Sequence, residues 1–142
     1  MKTTEKRPQT KDKLLDAAHQ LMLGKGYVAT TVDEICEAAK VTKGSFFHYF
    51  ESKDDLAETL LERVCESSSP LRGPELTEKD PLKRIYARID FVIEMVRKCG
   101  DVKGCIVGTF GQELSDTHPK IRELCRESFN LMAKQFVREI TG

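Results

Sequence analysis

The 142-residue chain has little of several things, and each scarcity narrows what it does. It carries no net charge, with 23 Lys+Arg against 23 Asp+Glu, so overall charge neither supports nor excludes a polyanionic partner. Nine glycines and five prolines are too few for a fibrous or low-complexity protein, and 39% hydrophobic residues are too many for wholesale disorder. No run of even ten apolar residues occurs, and the opening Met1 to Lys13 is polar, so neither a helical membrane span nor a secretory leader is expected and a cytoplasmic protein is. Five cysteines, Cys36, Cys65, Cys99, Cys105 and Cys125, include no Cys-x-x-Cys pair, and His19, His48 and His118 lie far apart. Reduced thiols, no metal and no cofactor are therefore expected.

What is present is helical periodicity. Leu14, Leu15, Ala18, Leu21 and Met22 form one apolar stripe over residues 10 to 24, closed by Gly24-Lys25-Gly26. Thr31 with Glu34 three residues on is a capping box opening a helix through Val32, Ile35, Cys36 and Ala39. Thr42 caps a third helix carrying Phe46, Phe47 and Phe50, all three expected in the core. Ser52 with Lys53-Asp54-Asp55 caps a fourth, running through Leu56, Leu60, Leu61 and Val64. The turn-rich Ser67 to Pro74 reads as a loop between an N-terminal domain and the rest. Beyond it, Asp80-Pro81 opens a helix through Leu82, Ile85, Tyr86, Ile89, Val92, Ile93 and Val96. A sixth helix lies within Gly104 to Ser115, and a seventh starts at Pro119. No segment alternates as a strand does, so the fold is expected to be all-α.

Two short helices across a tight turn, the second with a polar first turn, have the layout of a helix-turn-helix. The chemistry fits that layout. Lys43 can donate to guanine or phosphate, Gly44 lets backbones approach, and the Ser45 hydroxyl serves as donor or acceptor in the major groove. Thr31 and Thr42 set hydroxyls and helix N-terminal amides where a phosphate is welcome. Residues 1 to 53 hold nine Lys+Arg against seven Asp+Glu, with Lys2, Lys6, Arg7, Lys11 and Lys13 crowded at the start.

The run from Thr30 to Leu56, preceded by Lys13-Leu-Leu-Asp-Ala-Ala18 and Gly24-Lys-Gly-Tyr27, resembles the TetR/AcrR family of one-component transcriptional regulators. The resemblance implies a three-helix helix-turn-helix DNA-binding domain over residues 1–51. An antiparallel helical effector-binding and dimerisation domain would follow over residues 52–142. It also implies a homodimer that binds double-stranded operator DNA, responds to a small-molecule effector of unknown identity and acts as a repressor with no catalytic residues. Carried over by position, base or backbone contact falls to Thr42, Lys43, Gly44, Ser45 and His48, and phosphate contact to Thr31, Tyr49 and Lys53. Phe47 departs from the pattern, because many relatives have there a tyrosine whose hydroxyl binds phosphate. Relatives usually continue for two more helices, so the resemblance implies either a short variant or a chain incomplete at its C-terminus.

For the effector, Tyr86, Phe91, Met95, Cys105, Phe110 and Glu113 are the candidate pocket residues, against the plainer reading of a helical core. Cys105, beside Lys103 and near a helix start, sits where positive charge favours a thiolate, which makes an electrophile or oxidant sensor one alternative. A small buried cysteine packed against glycines is the expected state. A helical subunit acting by pairing with a full-length relative is another alternative. A thiol enzyme using Cys105 or Cys99 ranks last, for want of an activating histidine.

Overall fold

The computed structural model of the chain describes residues 9–67, 78–98 and 104–141, and every regular element among them is a helix. In chain order these are α1 (Thr10–Lys25), α2 (Val32–Ala39), α3 (Lys43–Tyr49), α4 (Lys53–Ser67), α5 (Pro81–Lys98), α6 (Ile106–Leu114) and α7 (Pro119–Thr141). All seven expected helices are present, because their starts are written in local chemistry. Thr31 Oγ1 accepts from the Glu34 amide at 3.2 Å while the Glu34 carboxylate accepts from the Thr31 amide at 2.9 Å, closing the capping box. Ser52 Oγ accepts from the Asp55 amide at 3.1 Å, and Asp80 Oδ1 accepts from the Leu82 amide at 2.9 Å ahead of Pro81. Most of the loop expected over Ser67 to Pro74, together with Arg7, Cys99 and Lys103, lies outside the described residues.

The chain divides into two compact units, Met1–Leu60 and Leu61–Gly142, so the boundary falls inside α4. In the first, α1 packs on α2 and α3, and α2 on α3. Leu14, Leu15, Ala18 and Met22 meet Ile35, Phe46 and Phe50 in a core that also takes Leu56, Ala57 and Leu60 of α4. The Phe46 and Phe50 rings lie 5.7 Å apart and are both buried, and truncating a phenyl ring so placed costs on the order of 3–5 kcal/mol. Phe47 corrects the expectation for the three phenylalanines. It is 52% exposed, since a seven-residue helix turns only one face inward and positions 46 and 50 occupy it.

In the second unit, α5 and α6 each pack on α7. Ile106, Val107, Phe110 and Leu114 of α6 are buried, as are Ile121 and Cys125 of α7. Arg88 of α5, 4% exposed, is bound through Nε and Nη2 to the Glu139 carboxylate of α7, with Nε at 2.8 Å. No helix among the described residues is long and apolar enough to cross a membrane.

Candidate nucleic-acid interface

The turn between α2 and α3 is made by Lys40, whose left-handed conformation (φ 56°, ψ 46°) turns its amide back onto the carbonyls of Cys36 and Glu37. Val41 follows with an amide bond to Cys36 O at 3.0 Å, and the chain re-enters a helix at Thr42. Thr42 Oγ1 accepts from the Ser45 amide at 3.1 Å and donates to Ser45 Oγ at 3.0 Å. This short circuit of caps fixes where the first turn of α3 points. Thr42, Lys43, Gly44, Phe47, His48 and Tyr49 are all exposed there, with Ser45 half-buried behind the cap. The His48 and Tyr49 rings stand edge to face at 4.9 Å.

Gly44 is informative because nothing inside the protein requires it. A Cβ built there meets only Thr42 Oγ1, at 3.9 Å, which is ordinary contact. A glycine inside a helix is less favourable than alanine by roughly 0.5–1 kcal/mol, so its use here fits close approach by something outside the chain.

Charges around this surface are organised by α2. Lys43 Nζ lies 3.0 Å from Asp33 Oδ1, an exposed pair across the turn. Lys25, in the last turn of α1, donates to Glu34 Oε1 at 2.5 Å. That bond first, and the two hydrogen bonds from Thr31 after it, hold the Glu34 carboxyl down at about 2. Thr31 itself is exposed at the N-terminus of α2, where helix amides and dipole favour an anion.

Lys53 is placed differently from the other basic residues. Its ammonium donates to the carbonyls of Tyr27 at 3.0 Å and Thr30 at 2.9 Å, and lies 4.1 Å from the Tyr27 ring centroid. The Tyr27 hydroxyl in turn donates to Asp54. Lys53 thus ties the α1–α2 connection to the start of α4, with its charge turned to the protein's own carbonyls. Seven of the eight expected contact residues, Thr31, Thr42, Lys43, Gly44, Ser45, His48 and Tyr49, lie on or beside the α2 and α3 starts and the outer face of α3. Sequence reasoning missed Asp33 as the partner of Lys43 and Asp54 as the partner of Tyr27. An acidic residue in the first turn of α2 was the one available signal for the former.

The six residues expected to line an effector pocket do not share one environment. Tyr86 is 61% exposed and Cys105 is exposed, whereas Phe110 is fully buried in the core. Phe91, Met95 and Glu113 are half-buried. An open groove of about 350 Å3 runs between α6 and α7 instead, lined by Gly108, Gly111, Gln112, Ser115, Arg122, Cys125, Arg126 and Phe129, and none of the six lines it. Cys105 also corrects the expectation of a small buried residue: it is the N-cap of α6, outside the helix, and its side chain makes no capping bond. Cys125 of α7 is buried instead, donating to Val107 O at 3.5 Å. Burial, with Cys65 and Cys105 nearby, pushes it up to about 11. Among the described residues no cluster of His, Cys, Asp or Glu is arranged to hold a metal ion.

The family model described as bacterial regulatory proteins, tetR family, matches residues 14–60, which end where the first compact unit ends. A crystal structure of a regulatory protein TetR from Rhodobacter sphaeroides is 30% identical, covers 89% of this chain and 70% of that one, and superposes with a TM-score of 0.69. The chain belongs to the TetR family. Another TetR-like structure, the reduced form of NemR from E. coli, is 25% identical with a TM-score of 0.75, over 92% of this chain and 68% of that one. The transcriptional regulator AcuR of Cereibacter sphaeroides is 35% identical over 103 residues, 71% of this chain. The chain spans about half of AcuR, 47% of its length.

Proposed function

We propose that the protein is a sequence-specific DNA-binding transcriptional regulator, a repressor that releases operator DNA when a small molecule binds its second unit. The observation that carries this reading is the exposed first turn of α3. Thr42 caps it, Lys43 and Gly44 stand open beside it, and Gly44 lies where no internal contact calls for glycine. In this reading α3 enters the major groove. Lys43 exchanges Asp33 for a guanine edge or phosphate, Ser45 reads a base edge, and Thr31 and Tyr49 hold flanking phosphates. A homodimer would set two such helices on half-sites one helical turn apart, about 34–36 Å. The repressor sign is supported by the names of relatives such as the transcriptional repressor NemR, 29% identical over 118 residues. Release needs an effector that prefers the DNA-incompetent state, and α4, continuous from the first unit into the second, supplies a helical connection.

Binding to DNA from the protein's own upstream region, measured by fluorescence anisotropy at several salt concentrations, tests the proposal. Lys43→Ala and Ser45→Ala are expected to weaken that complex by about 1–3 kcal/mol while leaving binding to random DNA less affected. Equal losses on both DNAs would reduce the two residues to backbone contacts. No salt-dependent binding at all would sink the regulator.

A second reading concerns the trigger. Cys105 is exposed at the α6 start, next in sequence to the buried Ile106 and Val107, which puts an accessible thiol at the edge of the core of the second unit. An electrophile forming a bond to Cys105 Sγ, with loss of the thiol proton to solvent, would add bulk there and shift that unit. N-ethylmaleimide is the probe: modification of Cys105 should lower operator affinity, and Cys105→Ser should abolish the effect. Full modification with unchanged affinity removes the reading.

A further inference from the structure

Asp33 stands on the surface that the proposed function turns to DNA, where a carboxylate opposes a phosphate backbone. It lies in the first turn of α2 with its side chain 74% exposed, and its Oδ1 is 3.0 Å from Nζ of Lys43, itself 59% exposed. The cap of α2 does not account for it, because Thr31 and Glu34 close the capping box between themselves. The helix dipole favours an acid in this turn, but Glu34 already supplies one. An exposed pair of one lysine and one carboxylate adds little to stability, since water screens both charges. The fold has small use for this pair, and what remains is its effect on Lys43.

The pair spans the turn between α2 and α3, which the left-handed Lys40 and the Thr42 cap hold in place, so the carboxylate keeps a set position beside the lysine. An ammonium has three N–H donors, and a bond to Asp33 takes one, leaving two for an acceptor outside the chain. The two kinds of acceptor that DNA offers then differ. A phosphate is an anion, and Lys43 drawn to it either brings Asp33 along, as a neutral pair with no net attraction, or leaves Asp33 behind. In the second case a lone carboxylate faces the phosphates in a contact from which water is excluded, where repulsion is strongest. A guanine edge presents O6 and N7, which are neutral acceptors. The two remaining N–H groups can reach them while the ammonium keeps its carboxylate.

We infer that Asp33 is a specificity-determining positioning residue, which by holding Lys43 withdraws that charge from the phosphates of arbitrary DNA and keeps it for a guanine edge. The inference rests on the DNA-binding reading above and names the residue that makes its lysine selective. Phosphate contacts carry affinity without sequence information, so a lysine kept off them lowers binding to random DNA and leaves the operator complex its base contact.

Fluorescence anisotropy of Asp33→Asn on the upstream DNA and on random DNA, over a series of salt concentrations, tests it, with circular dichroism to confirm that each variant is helical. Random DNA should be bound about three- to tenfold more tightly at low salt, and the slope of log K against log salt should steepen by about 0.9, the value of one further phosphate contact. The upstream DNA should gain less than about twofold with its slope unchanged, because Lys43 is already on a base there. Asp33→Glu, which keeps the charge within reach of Lys43, should behave as the unaltered protein. In a Lys43→Met background Asp33→Asn should no longer steepen the slope on random DNA. Equal gains on both DNAs, or the same steepening without Lys43, would overturn the inference and reduce Asp33 to a general repulsion of phosphates, with the regulator reading intact. An unaltered protein that binds neither DNA in a salt-dependent way would remove the regulator reading and this inference together.

Discussion

The Lys53 ammonium lies 4.1 Å from the centroid of the Tyr27 ring and donates to the Tyr27 carbonyl at 3.0 Å, joining two residues 26 positions apart. With the bond to Thr30 O and the Tyr27 hydroxyl on Asp54, this binds the loop before α2 to the first turn of α4. Thr30 is fully buried beneath it and donates to Gly26 O at 2.7 Å, so the loop that presents Thr31 is held from both sides.

Lys53→Met keeps the stem and removes the charge. Hydrogen bonds from a charged donor contribute about 1.5–3 kcal/mol, and the side chain is half-buried, so unfolding free energy should fall by about 1–3 kcal/mol in urea titrations. Operator affinity should fall with it, through the displaced Thr31 cap. Unchanged stability together with a shallower salt dependence would instead mean that Lys53 spends its charge on a DNA phosphate.

Gly44→Ala should separate folding from function. Alanine fits the free protein, so thermal stability should rise by the equivalent of about 0.5–1 kcal/mol. Operator affinity should drop, because the added methyl stands where a DNA backbone approaches. Equal or tighter operator binding by the variant would contradict that use of Gly44.

The Glu34 carboxyl, held at about 2 against its ordinary 4.5, makes the α1–α2 junction sensitive to acid. A lowered folded-state value means that the ionised form stabilises the fold above 4.5, and that this contribution is lost as pH falls from 4.5 towards 2. Melting temperatures of the protein and of Glu34→Gln should therefore differ near neutrality and converge through that window. A difference that stays constant with pH would show that the loss in Glu34→Gln is not the loss of a charge.

Arg88→Met leaves the Glu139 carboxylate buried without its guanidinium, and breaking a buried pair in this way costs about 3–5 kcal/mol. Replacing both residues by methionine should cost less than the single change, since no lone charge remains. Denaturant titrations of the two variants make the comparison. A double variant worse than Arg88→Met would show that Arg88 and Glu139 each have further partners that matter more.

Much of the fold was legible in the chain because helix starts and stops are local. Thr31 with Glu34, Thr42 with Ser45, Ser52 with Asp55 and Asp80 before Pro81 act over two or three residues, and each opens a helix where its spacing predicts one. The helix-turn-helix followed for the same reason, its turn lying between two such signals. Which face of each helix is covered was not legible. Tyr86, Phe91 and Phe110 share helical spacing with core residues, and period alone cannot tell which face meets another helix.

The amino-acid order alone thus determined the seven helices, their caps and the exposed character of the α3 start, because each depends on groups within about one helical turn. Only the tertiary structure decided which charges are spent inside. Lys43 faces Asp33, Lys53 turns to Tyr27, and Arg88 reaches Glu139, over separations of 10, 26 and 51 residues. It also decided that Phe47 faces outward while Arg88 is buried. An amphipathic helix records that it has two faces, and the elements packed against it settle which face is used.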